Sequence, residues 1–536
     1  MEKGMMIKNG YLNKKIGVFL VLLVMSIVSS ANPMIYNIAD FGAKGDGSTL
    51  NTKAIQSAID DCAKGGGGTV FFPAGKYLSG TLFLKSHITL RLESGVVLVG
   101  SKNLGDYPIT VPKVRSYTDN FTDKSLIYGE GLEHIAIIGQ GTLDGSGTSF
   151  SPSEDLRKRD LEKWYKSRPY MIRIINCKNV LVKGVTFINS PMWVQHYLAC
   201  EDVNIDGITV NSRLNVNNYD GIDVDGCNRV RISNCDINSG DDAIVLKSTL
   251  DRPCKNVTIT NCVLSSLCNA FKLGTESNGG FQNINLSNCA IYDTDFAGIA
   301  LEMVDGEILD QISISNVTMD NVGTAIFIRL GNRARPFNEK SAKPGMGKLS
   351  NVIISNVQAT NVGKIGCSIT GLPGHPVKNI TLENIRLKFK GGGTPELVNR
   401  EIPEIPAGYP EFDMFGILPA YGFYCRHAEN LTLNDVELDF IEPEVRPAII
   451  CDDITGVEIY KIKARVSGNE PLIACKDVRN MFIQSCVVPK GIETFLHIRG
   501  AKSEHITLLG NDLSGAVNAI RKDNDVEVFL GSNRMK

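Results

Sequence analysis

The chain has 536 residues, with Lys plus Arg at 56 against Asp plus Glu at 58, a formal net charge of −2. That balance leaves no basic footprint for nucleic acid, and a hydrophobic content of 43% excludes disorder as the main state. A single globular core stops growing at about 250–300 residues, so the length predicts several domains or an array that extends its core along an axis.

Lys14 and Lys15 precede an apolar run over residues 16–28, and the small residues Ser29, Ser30 and Ala31 follow. This order predicts a secretory signal over residues 1–31. The run is too short for a membrane span, which needs about 20 apolar residues. The mature chain, 32–536, is expected as one domain in the periplasm or outside the cell, with no stable membrane span. Next comes the one convincing amphipathic helix, residues 51–62, with Ala54, Ile55, Ala58, Ile59 and Cys62 at helical spacing. Asn51 or Thr49 is its expected cap, and the glycines at 65–68 end it.

The body of the chain repeats. Val230-Arg-Ile-Ser-Asn234, Val257-Thr-Ile-Thr-Asn261, Ile284-Asn-Leu-Ser-Asn288 and Ile312-Ser-Ile-Ser-Asn316 share one pattern, and their asparagines advance by 27, 27 and 28. The pattern returns before Asn356 and Asn384. Each unit reads as a short strand with apolar residues two apart, then Asn or Gly where the chain turns. One such unit cannot bury its apolar face alone, but stacked coils build a continuous interior. The expected fold is therefore all-β, a single-stranded parallel β-helix, with the helix at 51–62 plugging the open edge of the first coil. Two stretches break the repeat, about 116–168 and about 391–426, and are expected as loop insertions over one face. Of the 14 cysteines, Cys235, Cys262 and Cys289 recur at one position of consecutive coils. They read as a ladder of buried thiols rather than a disulfide framework. No CxxC pair or Cys/His cluster at metal spacing occurs, so no metal or cofactor is expected.

One coil boundary concentrates acids: Asn218-Tyr219-Asp220-Gly221-Ile222-Asp223-Val224-Asp225, then Gly240-Asp241-Asp242. Asp220 and Asp241 are 21 residues apart, close to one coil, which predicts stacked neighbours on an outer wall with Asp242 beside them. Crowded carboxyls separate their pKa values. Glycosidic cleavage uses such a separation: one protonated carboxyl for the leaving oxygen and one carboxylate to activate water or attack. Asp223 and Asp225 read instead as corner residues bonding the turning backbone.

These motifs make the chain resemble the polygalacturonases of glycoside hydrolase family 28. Asp40-Phe-Gly-Ala-Lys-Gly-Asp46-Gly resembles their amino-terminal segment, and Gly139-Gln-Gly-Thr-Leu-Asp-Gly145 and Ser190-Pro-Met-Trp193-Val-Gln-His196 are similar to their middle segments. Asn218-Tyr219-Asp220 corresponds to Asn-Thr-Asp, with Tyr replacing Thr, and Gly240-Asp241-Asp242 matches Gly/Gln-Asp-Asp. The resemblance implies a right-handed β-helix, an acidic polysaccharide or oligosaccharide substrate of pectic type and hydrolysis with inversion. It implies Asp241 as general acid, with Asp220 and Asp242 holding and deprotonating water.

Two departures accompany it. The family's Gly-His-Gly falls on Cys268-Asn269-Ala270, and its carboxylate-gripping Arg-Ile-Lys falls on Ala300-Leu301-Glu302. A Glu facing a galacturonate carboxylate would repel it, which suits an uncharged sugar there or a carboxylate bound elsewhere. Lys247, Lys272, Arg329, Arg333 and Arg335 are the candidate replacement cations. Asn218, Asn269 and Glu302 are further candidates for substrate binding, with His196 and His427 as possible pocket residues. Trp164, Tyr165, Trp193, Tyr409 and Tyr421 are candidates for stacking on sugar rings, each weighed equally against loop packing. Two other readings stay open: a lyase holding calcium on Asp223, Asp225 and the acidic trio, and a carbohydrate-binding β-helix without catalysis.

Overall fold

A computed structural model describes residues 34–536 except 117, 119, 120, 215–217, 339 and 524; the expected signal segment, 1–31, lies outside them. The repeat closes into coils. The 37 strands of the described residues join one sheet, and the pairings between successive coils are parallel. One interior column runs Val203, Val230, Val257, Ile284, Ile312, Val352 and Ile380, each in register with the next. These side chains are buried in a single elongated core, because period-two alternation sends every second residue of each strand into the bore. The fold is a right-handed parallel β-helix.

The corner asparagines explain the repeat's punctuation. Asn234, Asn261, Asn288, Asn316, Asn356 and Asn384 all adopt left-handed backbone conformations, with φ between 53° and 58°, which Asn tolerates better than most residues. Their amides stack: Asn316 Nδ2 donates to Asn288 Oδ1 at 3.0 Å, Asn356 to Asn316 at 3.0 Å, and Asn384 to Asn356 at 2.7 Å. All 14 cysteines are free thiols, and Cys235, Cys262 and Cys289 are buried as the ladder reading expects.

The α-helix Thr52–Lys64 buries Ile55, Ala58, Ile59 and Cys62 beside the strands Ile35–Asn37 and Gly68–Phe72. Asn51 stands at its N-cap without capping it. The amide instead clamps the preceding loop, accepting from the Lys44 N–H at 2.7 Å and donating to the Lys44 and Thr49 carbonyls. Thr49 is tied to Asp46.

The insertion boundaries need correction. Residues 116–168 contain three ordinary coil strands, Ser125–Glu130, Glu133–Gly139 and Thr142–Asp144. The irregular part that follows holds the short helices Glu154–Arg159 and Leu161–Lys166. The second insertion ends at the strand Phe423–Glu442, and a third break, over 331–347, separates the strands Ile308–Leu330 and Lys348–Val362.

Candidate active site

Coil winding brings the acids together as the spacing predicts, with a shifted register. The strands Ile222–Asp225 and Ile244–Ser248 pair Ile222 with Ile244, and the Gly221 N–H donates to the Asp242 carbonyl at 2.9 Å. Asp242 is therefore the residue stacked on Asp220, while Asp241 lies over Tyr219, whose carbonyl accepts from the Asp241 N–H. Asp220 and Asp242 are buried, at 3% and 4% exposure, whereas Asp241 borders an open cleft of about 730 Å³.

The three carboxyls sit in different electrostatic settings. Burial, then the charge of Asp242, pushes Asp241 above the usual carboxylate range, although the Asn218 and Asp242 N–H groups donate to it at 2.8 and 3.0 Å. Burial also presses Asp242 upward, but the Lys272 and Lys247 ammoniums and the Asn269 amide outweigh it and hold Asp242 below its ordinary value. Lys272 Nζ lies 3.5 Å from Asp242 Oδ2, and Asn269 donates to Oδ1 at 2.9 Å. Asp220 is raised by burial and by the charges of Asp223 and Asp241, against the pull of Lys247 at 3.8 Å.

Under the acids lies a layer of compensated charge. Lys247 is buried among Asp220, Asp223 and Glu276 at 3.8, 3.5 and 3.4 Å, with Nζ 4.8 Å from the Trp193 ring centre. Its ammonium stands between the carboxylates that the calcium reading invoked. Asp223 and Asp225 are not corner residues: both lie on the strand Ile222–Asp225, fully buried on its outer side, since Ile222 and Val224 take the inner side. Asp225 accepts from the Thr249 N–H at 2.8 Å and its hydroxyl at 2.6 Å. The potential ligand atoms of Asp241, Asp242 and Cys268 all lie within 4.8 Å of one another, a mixed oxygen and thiol set ill-matched to calcium.

Several expected substrate contacts turn out to be internal. Asn269 is fully buried; its amide donates to Asp242 and its Oδ1 accepts from the Ala297 N–H at 3.0 Å, so it positions Asp242 rather than facing a sugar. Glu302 is also buried, accepting from the Thr275 hydroxyl at 3.2 Å and lying 3.8 Å from Lys272; it backs the lysine and does not confront the cleft. Arg329 is turned away, its guanidinium donating to the Gly371 carbonyl at 3.1 Å and the Glu404 carbonyl at 2.5 Å, which ties the second insertion to the wall. Burial lowers its pKa to about 10. His196 is sealed beneath Tyr170 and Trp193, 3.5 Å from Asp225. Arg333 pairs with Asp305 and Arg335 with Glu276 at 2.7 Å, so neither is ordinary solvated charge. His427 lies outside this cleft, between Asp453 at 2.8 Å and Glu404 at 3.1 Å.

Asn218 does line the cleft. Tyr165 and Tyr409 line it too, while Trp164, Trp193 and Tyr421 are packing residues. Sequence reasoning missed Arg157, Arg213, Cys268 and Glu411, all in the cleft wall. Glu411, carried in by the second insertion, accepts from Lys272 at 2.9 Å and from the Asn269 amide at 3.3 Å, and burial raises its pKa.

Comparison with known proteins gives the family and the fold. The family of glycosyl hydrolases family 28 matches residues 62–403. A probable polygalacturonase of Vitis vinifera is 36% identical over 226 residues, covering 40% of this chain and 44% of its own length; the chain thus spans less than half of that relative. An exopolygalacturonase of Platanus acerifolia is 28% identical, covering 67% of this chain and 92% of its own. The structure of an exopolygalacturonase from Thermotoga maritima superposes with a TM-score of 0.58 at 26% identity, covering 66% of this chain and 87% of its own. The acids at the coil boundary, the β-helix that stacks them and the extent of the match lead to one assignment: the chain belongs to glycosyl hydrolases family 28.

Proposed function

We propose that this chain hydrolyses glycosidic bonds in a galacturonate-containing pectic polysaccharide, with inversion. The observation that carries the reading is the placing of two neighbouring carboxyls in opposite settings: Asp241 borders the cleft and is pushed above the usual carboxylate range by burial and by Asp242, while Asp242 beside it is held low by Lys272, Lys247 and the Asn269 amide. Asp241 donates its proton to the glycosidic oxygen as the bond from that oxygen to the anomeric carbon breaks. A water attacks the same carbon from the opposite side, and Asp242 takes its proton. Asp220, raised and stacked on Asp242, orients that water. The uronate carboxylate is taken by Arg157 and Arg213, the cleft cations the sequence did not single out.

The short helices on one flank and the proline-rich insertion on the other both line the cleft. That enclosure, together with relatives that are exopolygalacturonases, supports release of terminal sugars. The amino-terminal pattern supports secretion or a periplasmic location, and among the described residues no helix is long and apolar enough to cross a membrane.

The test is Asp241→Asn on oligogalacturonates. The rate should fall by about 10² to 10⁴ with folding intact, and undiminished activity would remove Asp241 from the acid role. Proton NMR of the first product reports the anomer. A ladder of intermediate sizes in the first minutes would exclude exo-action.

A further inference from the structure

The wall that carries the acids continues beyond them, and its outer face becomes charged again toward the carboxy-terminal coils. Val245, Lys272, Ala300, Phe327, Ser368, Tyr424 and Ile450 stand in register, six steps of about 4.8 Å or about 29 Å along the axis. There Arg426, Asp452, Lys476 and Arg499 form a second register column and line a separate cleft of about 480 Å³. That volume lies in the range of small-ligand sites. Its floor is Tyr424 and Ile450, backed by the apolar cluster around Phe415 and Leu418.

The charges of this cleft are unequally used. Arg426 is held by Glu404 and by Asp452, the latter at 3.5 Å. Lys476 is exposed and makes no ion pair among the described residues, and the buried Nε of Arg499 has no hydrogen-bond partner among them. A guanidinium beside an ammonium over an apolar floor suits a sugar that carries a carboxylate.

We propose that this cleft is a distal binding site for a uronate unit, in which Lys476 and Arg499 hold the carboxylate and the Tyr424 and Ile450 floor receives the ring. The site anchors the same acidic polymer whose cleavage was proposed above, and in that respect rests on that reading. Its consequence is a second point of attachment on one wall, so that long chains bind more tightly than short ones.

The experiment is calorimetric titration of Asp241→Asn with trigalacturonate, too short to bridge the two clefts, against the same protein carrying Lys476→Glu and Arg499→Gln. Two ligands per chain should fall to one, and the lost site should weaken with added salt and ignore a neutral galactotriose. Unchanged stoichiometry in the triple variant would overturn the distal site, as would equal binding of the neutral sugar there. Should only one ligand bind and the distal substitutions abolish it, the distal site stands and the reading of the Asp241 cleft fails. If the triple variant does not fold by circular dichroism, Lys476→Met in the Asp241→Asn background, altering one exposed side chain, should still weaken the distal site at least about tenfold; unaltered affinity would sink the proposal.

Discussion

Asp242 is set by two neighbours, Asn269, at the position of the family's expected histidine, and Lys272. Asn269 reaches it from the next coil with both its backbone and its amide N–H, at 3.2 and 2.9 Å, and Lys272 faces it from the same strand wall. Both stabilise the ionised form, so the acid limb of the pH profile for kcat/KM should follow their presence. Asn269→Ala removes the amide donor; Asp242 then titrates higher, and the acid limb moves to higher pH while the limb that the proposed acid role assigns to Asp241 stays. Steady-state kinetics across pH on an oligogalacturonate checks this, and an unmoved acid limb would take Asn269 out of the positioning role. Lys272→Met removes a buried ammonium shared by Asp242, Glu302 and Glu411. Leaving buried carboxylates uncompensated costs about 3–5 kcal/mol, and a denaturant titration at neutral pH should show that loss. Lowering the pH should restore part of it, because protonated Glu302 and Glu411 no longer need the cation. Their raised pKa values mark them as the first to protonate.

At the level of coils, the asparagine ladder carries a backbone demand. Asn316 has φ 57° and lies between Asn288 and Asn356. Asn316→Ala should cost about 1–2 kcal/mol from the left-handed conformation, whereas Asn316→Gly should escape that penalty and lose the amide bonds together with some chain entropy. Thermal melts of the pair separate the two contributions, and equal losses would place the ladder's value in its hydrogen bonds. The same periodicity made the fold legible: alternation named the inward residues, and the corner asparagines counted the coils. It also marked Asp223 and Asp225 as outward strand residues, since they alternate with Ile222 and Val224, a signal that the preference of Asp for turns had overridden. Glu411 left no such trace. It is 142 residues from Asn269 in sequence, inside an insertion without a repeat, and only the folding of that insertion onto the wall brings it to Lys272. The burial of Glu302 and Arg329 was hidden for the same reason, because the residues that cover or engage them come from other coils and from the insertion.

Over the whole molecule, the amino-terminal coil presents a problem that the middle coils do not have. Most strands of the middle coils are paired on both sides, but the first strand Ile35–Asn37 pairs only with Gly68–Phe72 among the described strands, and an open edge over an apolar bore invites other chains. The helix Thr52–Lys64 sets Ile55 and Ile59, both fully buried, into the core at this end. If it is the plug, Ile55→Asp with Ile59→Asp should loosen the helix and expose the edge. Coils in such arrays depend mainly on their neighbours, so the distant cleft should keep the oligogalacturonate binding proposed for it while the protein self-associates. Light scattering after size exclusion should then show mass rising with concentration, and a chain that remains monomeric with a lowered melting temperature would make the helix a packed element rather than a barrier. Loss of cleft binding together with self-association would mean that the disturbance travels the length of the stack, which nearest-neighbour coupling does not permit. The double variant therefore tests the end of the array and the independence of its coils in one measurement.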